Sequence, residues 1–207
     1  MTTNGQERIF LSASIPLPSR NPQYFATADV IAIRDAVRAL IIVTLESDYQ
    51  LVFGGHPAIT PMIRMQLTQS AASGANRVVL YQSRYFASSF PPDNSAFTQV
   101  CLIDEVPNDR TASLSRMREE MLRGSFRAGL FIGGMEGVED EYALFTRLHP
   151  GVPAYPIAST GAAAARIYSQ DGRLQQVHPE LQNELSYLSL MRVLLRQSRH
   201  RGTPRAP

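Results

Sequence analysis

Six short apolar runs, separated by segments of helical period, constrain this chain more than any other feature. They are "ERIFLSASIP" (7–16), "QLVFGG" (50–55), "RVVLYQS" (77–83), "TQVCLID" (98–104), "AGLFIGG" (128–134) and "PAYPIAS" (153–159). Such runs read as strands buried on both faces, the pattern of a parallel sheet. Parallel neighbours need crossover connections, and the intervening segments supply them. Asp29 caps a helix to Glu46, with Ile33, Val37, Leu40 and Ile41 on one face. Residues 57–73 read as a helix with Pro57 in its first turn, and 109–126 as one closed by Gly124. "VEDEYALFTRLH" (138–149) is a further helix. A last one, from Pro179 to Arg196, carries Leu181, Leu185, Leu188, Met191 and Leu195 as one stripe, to pack on the sheet or to form a dimer. Pro16, Pro18 and Pro22 are read as forbidding regular structure after the first strand.

The expected fold is a Rossmann-like three-layer α/β/α sandwich with a mostly parallel sheet of about six strands. A single domain spans 1–196, followed by a basic tail (197–207) read as disordered. No apolar run approaches the roughly 18–20 residues of a membrane span, and the N-terminus lacks the pattern of a secretion signal. One cysteine, Cys101, cannot staple a fold and reads as a small core residue in a reducing compartment. A cytoplasmic location is expected.

All 20 basic residues are arginine, so lysine-dependent chemistry is excluded: no P-loop lysine and no Schiff base. The tail from residue 196 holds four of those arginines and no acid, which leaves 16 arginines against 18 acids in the body. Binding of nucleic acid along a basic face is therefore not expected. Any anionic ligand must be held by arginine, backbone amides or helix N-termini. His56, His149, His178 and His200 show no metal-ligand spacing, and no metal or required cofactor is expected.

Ligands of open parallel sheets sit beyond the carboxyl ends of the strands. Four strand ends here carry small residues: "SAS" (12–14), "GGHP" (54–57), "GGMEG" (133–137) and "STGAAA" (159–164). Ser12, Ser14, Gly54, Gly55, His56, Gly133, Gly134, Met135, Glu136, Gly137, Ser159, Thr160 and Gly161 are the resulting candidates for ligand contacts. Glu139, Asp140 and Glu141 follow in a helix N-terminal turn, where acids favour the helix whatever else they do. Tyr81, Tyr85 and Phe86 are candidates to wall a base.

The run "MREEMLRGSFRAGLFIGGMEGVEDEYALF" (117–145) resembles the signature of the SLOG superfamily, which includes LOG-type phosphoribohydrolases and DprA-type proteins. In the LOG pattern an arginine-bearing helix leads into a strand and then Pro-Gly-Gly-x-Gly-Thr-x-x-Glu. Gly133, Gly134, Gly137 and Glu141 match it, and Arg116 or Arg118 stands where the arginine would be. "LVFGGHPAITPMI" (51–63) and "YPIASTGAAA" (155–164) look like ligand loops of the ligand-sensing members. Ile132 replaces the proline, Val138 the threonine, and Met135-Glu136 lengthens the loop by one residue.

These departures place the resemblance nearer the sensor branch than the hydrolases. It implies a protein that binds a nucleotide-derived small molecule, NAD-derived or cyclic-nucleotide-like. Such a protein would sense or sequester that signal in a prokaryotic signalling or antiphage defence system, as a homodimer or beside a separate effector. The alternative it implies is an N-glycosidase acting on nucleoside 5′-monophosphates or NAD, with Glu141 and Arg118 as catalytic residues. A DNA-binding role of DprA type is a third reading, disfavoured by the acidic body.

Overall fold

The computed structural model describes residues 6–69 and 75–200. Its sheet has six strands: β1 (Glu7–Ser14), β2 (Tyr49–Phe53), β3 (Val78–Ser83), β4 (Gln99–Ile103), β5 (Ala128–Gly133) and β6 (Ala154–Ile157). All five pairings are parallel, in the order β4-β3-β2-β1-β5-β6. The expected Rossmann-like α/β/α architecture is the one observed.

Alternation along β1 sends Ile9 and Leu11 to one face and Phe10 and Ser12 to the other. The first face is covered by α2 (Val30–Glu46), α3 (Thr60–Gln69) and α9 (Tyr187–His200), whose Ile33, Ile63 and Met191 are fully buried there. The second is covered by α4 (Arg110–Met121) and α5 (Glu136–Leu148). On it Phe10 stacks on Phe145 with centroids 5.6 Å apart, and Phe126 and Phe131 meet the pair edge-on. Short helices α1 (Pro22–Thr27), α6 (Ala162–Ser169), α7 (Gly172–Val177) and α8 (Glu180–Asn183) complete the chain.

Asp29 caps α2 by accepting from the Ala32 amide, as its position predicts. Four expectations about helices need correction. Pro22 does not forbid structure: Asn21 caps the short α1, and Pro22 occupies its first turn, where a missing N–H costs nothing. The helix expected from residue 57 begins at Thr60, because the His56 carbonyl first closes a turn onto the Ile59 and Thr60 amides; its expected end at 70–73 lies outside the described residues. The helix expected over 109–126 runs Arg110–Met121, ahead of Gly124 with its φ of 91°. The expected last helix is two, since Glu184 is extended and its carboxylate accepts the Ser186 amide at 2.6 Å. Leu185 falls in that break and is 68% exposed, so it leaves the stripe. Leu188, Met191 and Leu195 belong to α9, which packs on α2 with Arg192 gripping Glu46 at 2.9 Å. Leu181 is buried on α8, which packs beside β6. α9 continues to His200, and residues 201–207 lie outside the described residues.

Candidate functional site

From β1 the chain steps outward through β2, β3 and β4, then returns to place β5 on the other side of β1. Strand order reverses there, so the crossovers diverge and a crevice opens beyond the carboxyl ends of β1 and β5. It has a volume of about 1260 Å³ and is walled by the ends of β1, β2 and β3, by residues 135–138, and by inward faces of α4 and α5. Ser12, Ser14, Gly54, Gly55, His56, Met135, Glu136, Gly137, Arg118 and Glu141 all line it.

A closed polar network crosses its floor. Ser12 Oγ donates to Glu141 Oε2 at 2.6 Å, and Arg118 Nε donates to Glu141 Oε1 at 3.2 Å. The same guanidinium reaches Asp140 at 3.0 Å and the Gly137 carbonyl at 3.4 Å. Burial pushes the Glu141 carboxyl upward; the Arg118 charge and the Ser12 hydrogen bond oppose it. Glu141 is thus oriented through both oxygens, and Arg118 is occupied on all three nitrogens. Arg116 projects outside the crevice lining, so of the two candidate arginines one reaches the site.

The paired glycines do another job than lining the site. The Gly133 amide donates to Thr160 Oγ1 at 2.8 Å, and the Gly134 amide to the Ser14 carbonyl at 2.9 Å. With φ at 89°, a Cβ on Gly134 would fall 2.2 Å from Val138 Cγ2. These residues close the β5–α5 turn tightly, and neither borders the crevice. Ser159, Thr160 and Gly161 do not border it either. Ser159 Oγ accepts from the Tyr187 hydroxyl, and Gly161 presses against the Thr27 carbonyl. Three of the four expected strand ends therefore meet at the crevice, and the "STGAAA" turn serves as their buttress.

His56 is held by its own turn: Nδ1 accepts the Ala58 amide at 3.2 Å. Burial, aided by the nearby Arg20 charge, lowers its pKa to about 4. The ring is neutral at pH 7, with its proton on Nε2. On the opposite rim, Glu136 takes a hydrogen bond from Asn21 Nδ2 at 2.6 Å, which with its own backbone amide pulls its carboxyl down.

Arg20, Arg110 and Arg147 also line the crevice, and none has a carboxylate within 4.0 Å among the described residues. They stand on three different elements: the β1–α1 loop, the start of α4 and the end of α5. These cations, with Gln82, Phe86 and Phe90 at the β3 end, are what sequence reasoning left out or under-weighted. Arg110 carried a signal, being the first helical residue beyond a strand end. So did Gln82, a polar residue in an otherwise apolar strand. Of the aromatic candidates only Phe86 lines the crevice; Tyr81 packs beside Cys101 in the second core. Among the described residues no cluster of three His, Cys, Asp or Glu side chains is placed to hold a metal ion. None of their helices is long and apolar enough to cross a membrane.

A family model, that of the SLOG cluster3 family, matches residues 23–195. No curated protein matches the sequence.

Proposed function

The chain belongs to the SLOG cluster3 family, and we propose on that premise that its crevice binds a nucleotide-derived small molecule. The protein then acts as a sensor or sequestering protein in a prokaryotic signalling or defence system. The observation that supports this most is the lining of the switch-point crevice: three arginines with no carboxylate within 4.0 Å among the described residues, at one site that also offers aromatic walls. Unpaired guanidiniums suit phosphates, which they hold by charge-assisted, often bidentate hydrogen bonds. Aromatic walls suit a base. A volume of about 1260 Å³ leaves room for a ligand of nucleotide size, an NAD-derived or cyclic-nucleotide-like signal in this reading. In this reading the protein works as a homodimer or beside a separate effector.

The second reading, an N-glycosidase, is favoured by one observation: Glu141 is a partly buried carboxylate on the crevice floor with its pKa raised, as a general acid needs. Against it, Ser12 and Arg118 occupy both of its oxygens. The test is mass spectrometry of small molecules released when the purified protein is denatured. It is followed by calorimetry with AMP, NAD, ADP-ribose and cyclic di-AMP, and by chromatography for freed base. A bound nucleotide with no base released supports the sensor. Turnover abolished by Glu141→Gln moves the protein to the hydrolases. Absence of any nucleotide binding ends both readings.

A further inference from the structure

Resting on the nucleotide reading above, we propose that the β3 end of the crevice is its base pocket, in which the Gln82 amide N–H2 group donates to an acceptor on the base edge. Gln82 is 7% exposed, yet it lines the crevice. Its Oε1 accepts from Asn94 Nδ2 at 2.6 Å. Its Nε2 has no protein acceptor among the described residues, which leaves two N–H donors at the crevice wall. That nitrogen opens onto the crevice, where an acceptor on a ligand would take the place of solvent.

The hydrogen bonding of its neighbour favours this orientation of the amide. Asn94 Oδ1 is buried without a partner. Turning both amides over would bury the Asn94 N–H2 group there instead, and orphaned N–H groups are rarer than orphaned carbonyls. Space for the Gln82 amide is built in as well. Gly55 has a φ of 67°, and a Cβ on it would lie 2.5 Å from Gln82 Nε2 and 2.8 Å from Leu80 Cδ1. The second glycine of "GGHP" thus makes room for Gln82 rather than for a phosphate.

From the end of β3 onward the crevice lining carries Phe86 and Phe90 beside Ser83 and Ser89, and Phe53 and Leu114 line the crevice from β2 and α4. Arg110 lies over the Phe86 ring at 5.9 Å, so a base placed against Phe86 has a guanidinium nearby. A flat ring with a nitrogen or carbonyl acceptor on its edge meets both demands of this corner, stacking surface and a hydrogen-bond acceptor. A sugar or a phosphate meets one at most.

The test uses AMP, IMP, GMP, ADP-ribose and cyclic di-AMP as probes, by calorimetry on the full chain. Gln82→Glu keeps an oxygen for Asn94 and replaces the donor with an acceptor. It is expected to lower affinity for the tightest adenine probe at least tenfold and to change the AMP-to-IMP affinity ratio at least fivefold. A purely structural role would leave that ratio unmoved, and an unchanged ratio overturns the proposal while the crevice remains a nucleotide site. Should Gln82→Glu not fold, Phe86→Leu, on the crevice wall, is expected to weaken base-bearing probes at least threefold; no loss overturns the proposal. If no probe binds the wild type, the proposal and the nucleotide reading fall together.

Discussion

Ser12 Oγ donates to Glu141 Oε2 at 2.6 Å, a contact that ties the end of β1 to α5 across the point where strand order reverses. Arg118 holds the other oxygen. Because burial raises the Glu141 pKa above its ordinary 4.5, the folded state favours the protonated form. The resulting stabilisation is present in acid and is lost as pH rises through the folded pKa, so ionised Glu141 is a cost at neutral pH. Glu141→Gln retains an oxygen for Arg118 and removes that cost. It should be at least as stable as wild type at pH 7.5, with the advantage shrinking as pH falls toward 4.5. Glu141→Ala strips both donors of their acceptor and should cost about 1–3 kcal/mol. Urea unfolding at the two pH values reads both. A loss from Gln as large as that from Ala would mean the charge itself holds α5 in place.

His56 has the opposite sign. Its pKa falls from 6.5 to about 4, so the folded state favours the neutral ring. That contribution is present above pH 6.5 and is lost as pH falls toward 4. At about 1.4 kcal/mol per pKa unit its ceiling is about 3 kcal/mol. His56→Asn keeps a side-chain acceptor for the Ala58 amide and does not titrate. The stability difference between wild type and this variant should shift against wild type by about 2 kcal/mol between pH 7.5 and 4.5. An unmoved difference would place the ring in water.

Gly54 and Gly134 look alike in sequence and differ in what a side chain would meet. A Cβ on Gly54 touches Met121 Sδ at 3.4 Å, an ordinary contact with a flexible neighbour. One on Gly134 runs into Val138 at 2.2 Å from a backbone with φ of 89°. Gly134→Ala should cost about 2–4 kcal/mol from overpacking and left-handed strain together. Gly54→Ala should stay within about 1 kcal/mol. Adding Val138→Ala to Gly134→Ala should recover part of the loss, the steric part, and thermal unfolding of the four proteins separates the two terms. Equal costs at Gly54 and Gly134 would contradict this assignment.

The same pair marks where the sequence was legible and where it was not. Strand number and type could be read because a parallel strand buried on both faces has to be a continuous apolar run, and Ile9–Leu11, Leu51–Phe53 and Leu130–Ile132 are such runs. The Glu141–Arg118 pairing was within reach through the SLOG resemblance. The role of each glycine was not, because it depends on a neighbour far away in the chain or in an unpredictable rotamer: Ile33 for Gly133, Gln82 for Gly55, Thr27 for Gly161. A break such as Glu184–Ser186 hides for a related reason, since one carboxylate taking one amide leaves the apolar periodicity almost intact.

Arg147 supplies the last test, with Arg116 as its control. Arg147 stands at the end of α5 on the crevice wall, exposed, with no carboxylate within 4.0 Å among the described residues; Arg116 lies on α4 outside the crevice. If the crevice receives phosphates, removing one uncommitted guanidinium there removes a charge-assisted contact worth about 1.5–3 kcal/mol. Arg147→Gln, and likewise Arg20→Gln, should weaken the bound nucleotide roughly tenfold or more and flatten the dependence of affinity on salt. Arg116→Gln changes the net charge equally and should alter neither. Calorimetry at low and physiological ionic strength distinguishes the cases. A loss shared by all three variants would show long-range attraction by total charge, and no loss at Arg147 or Arg20 would remove the cationic rim from the site.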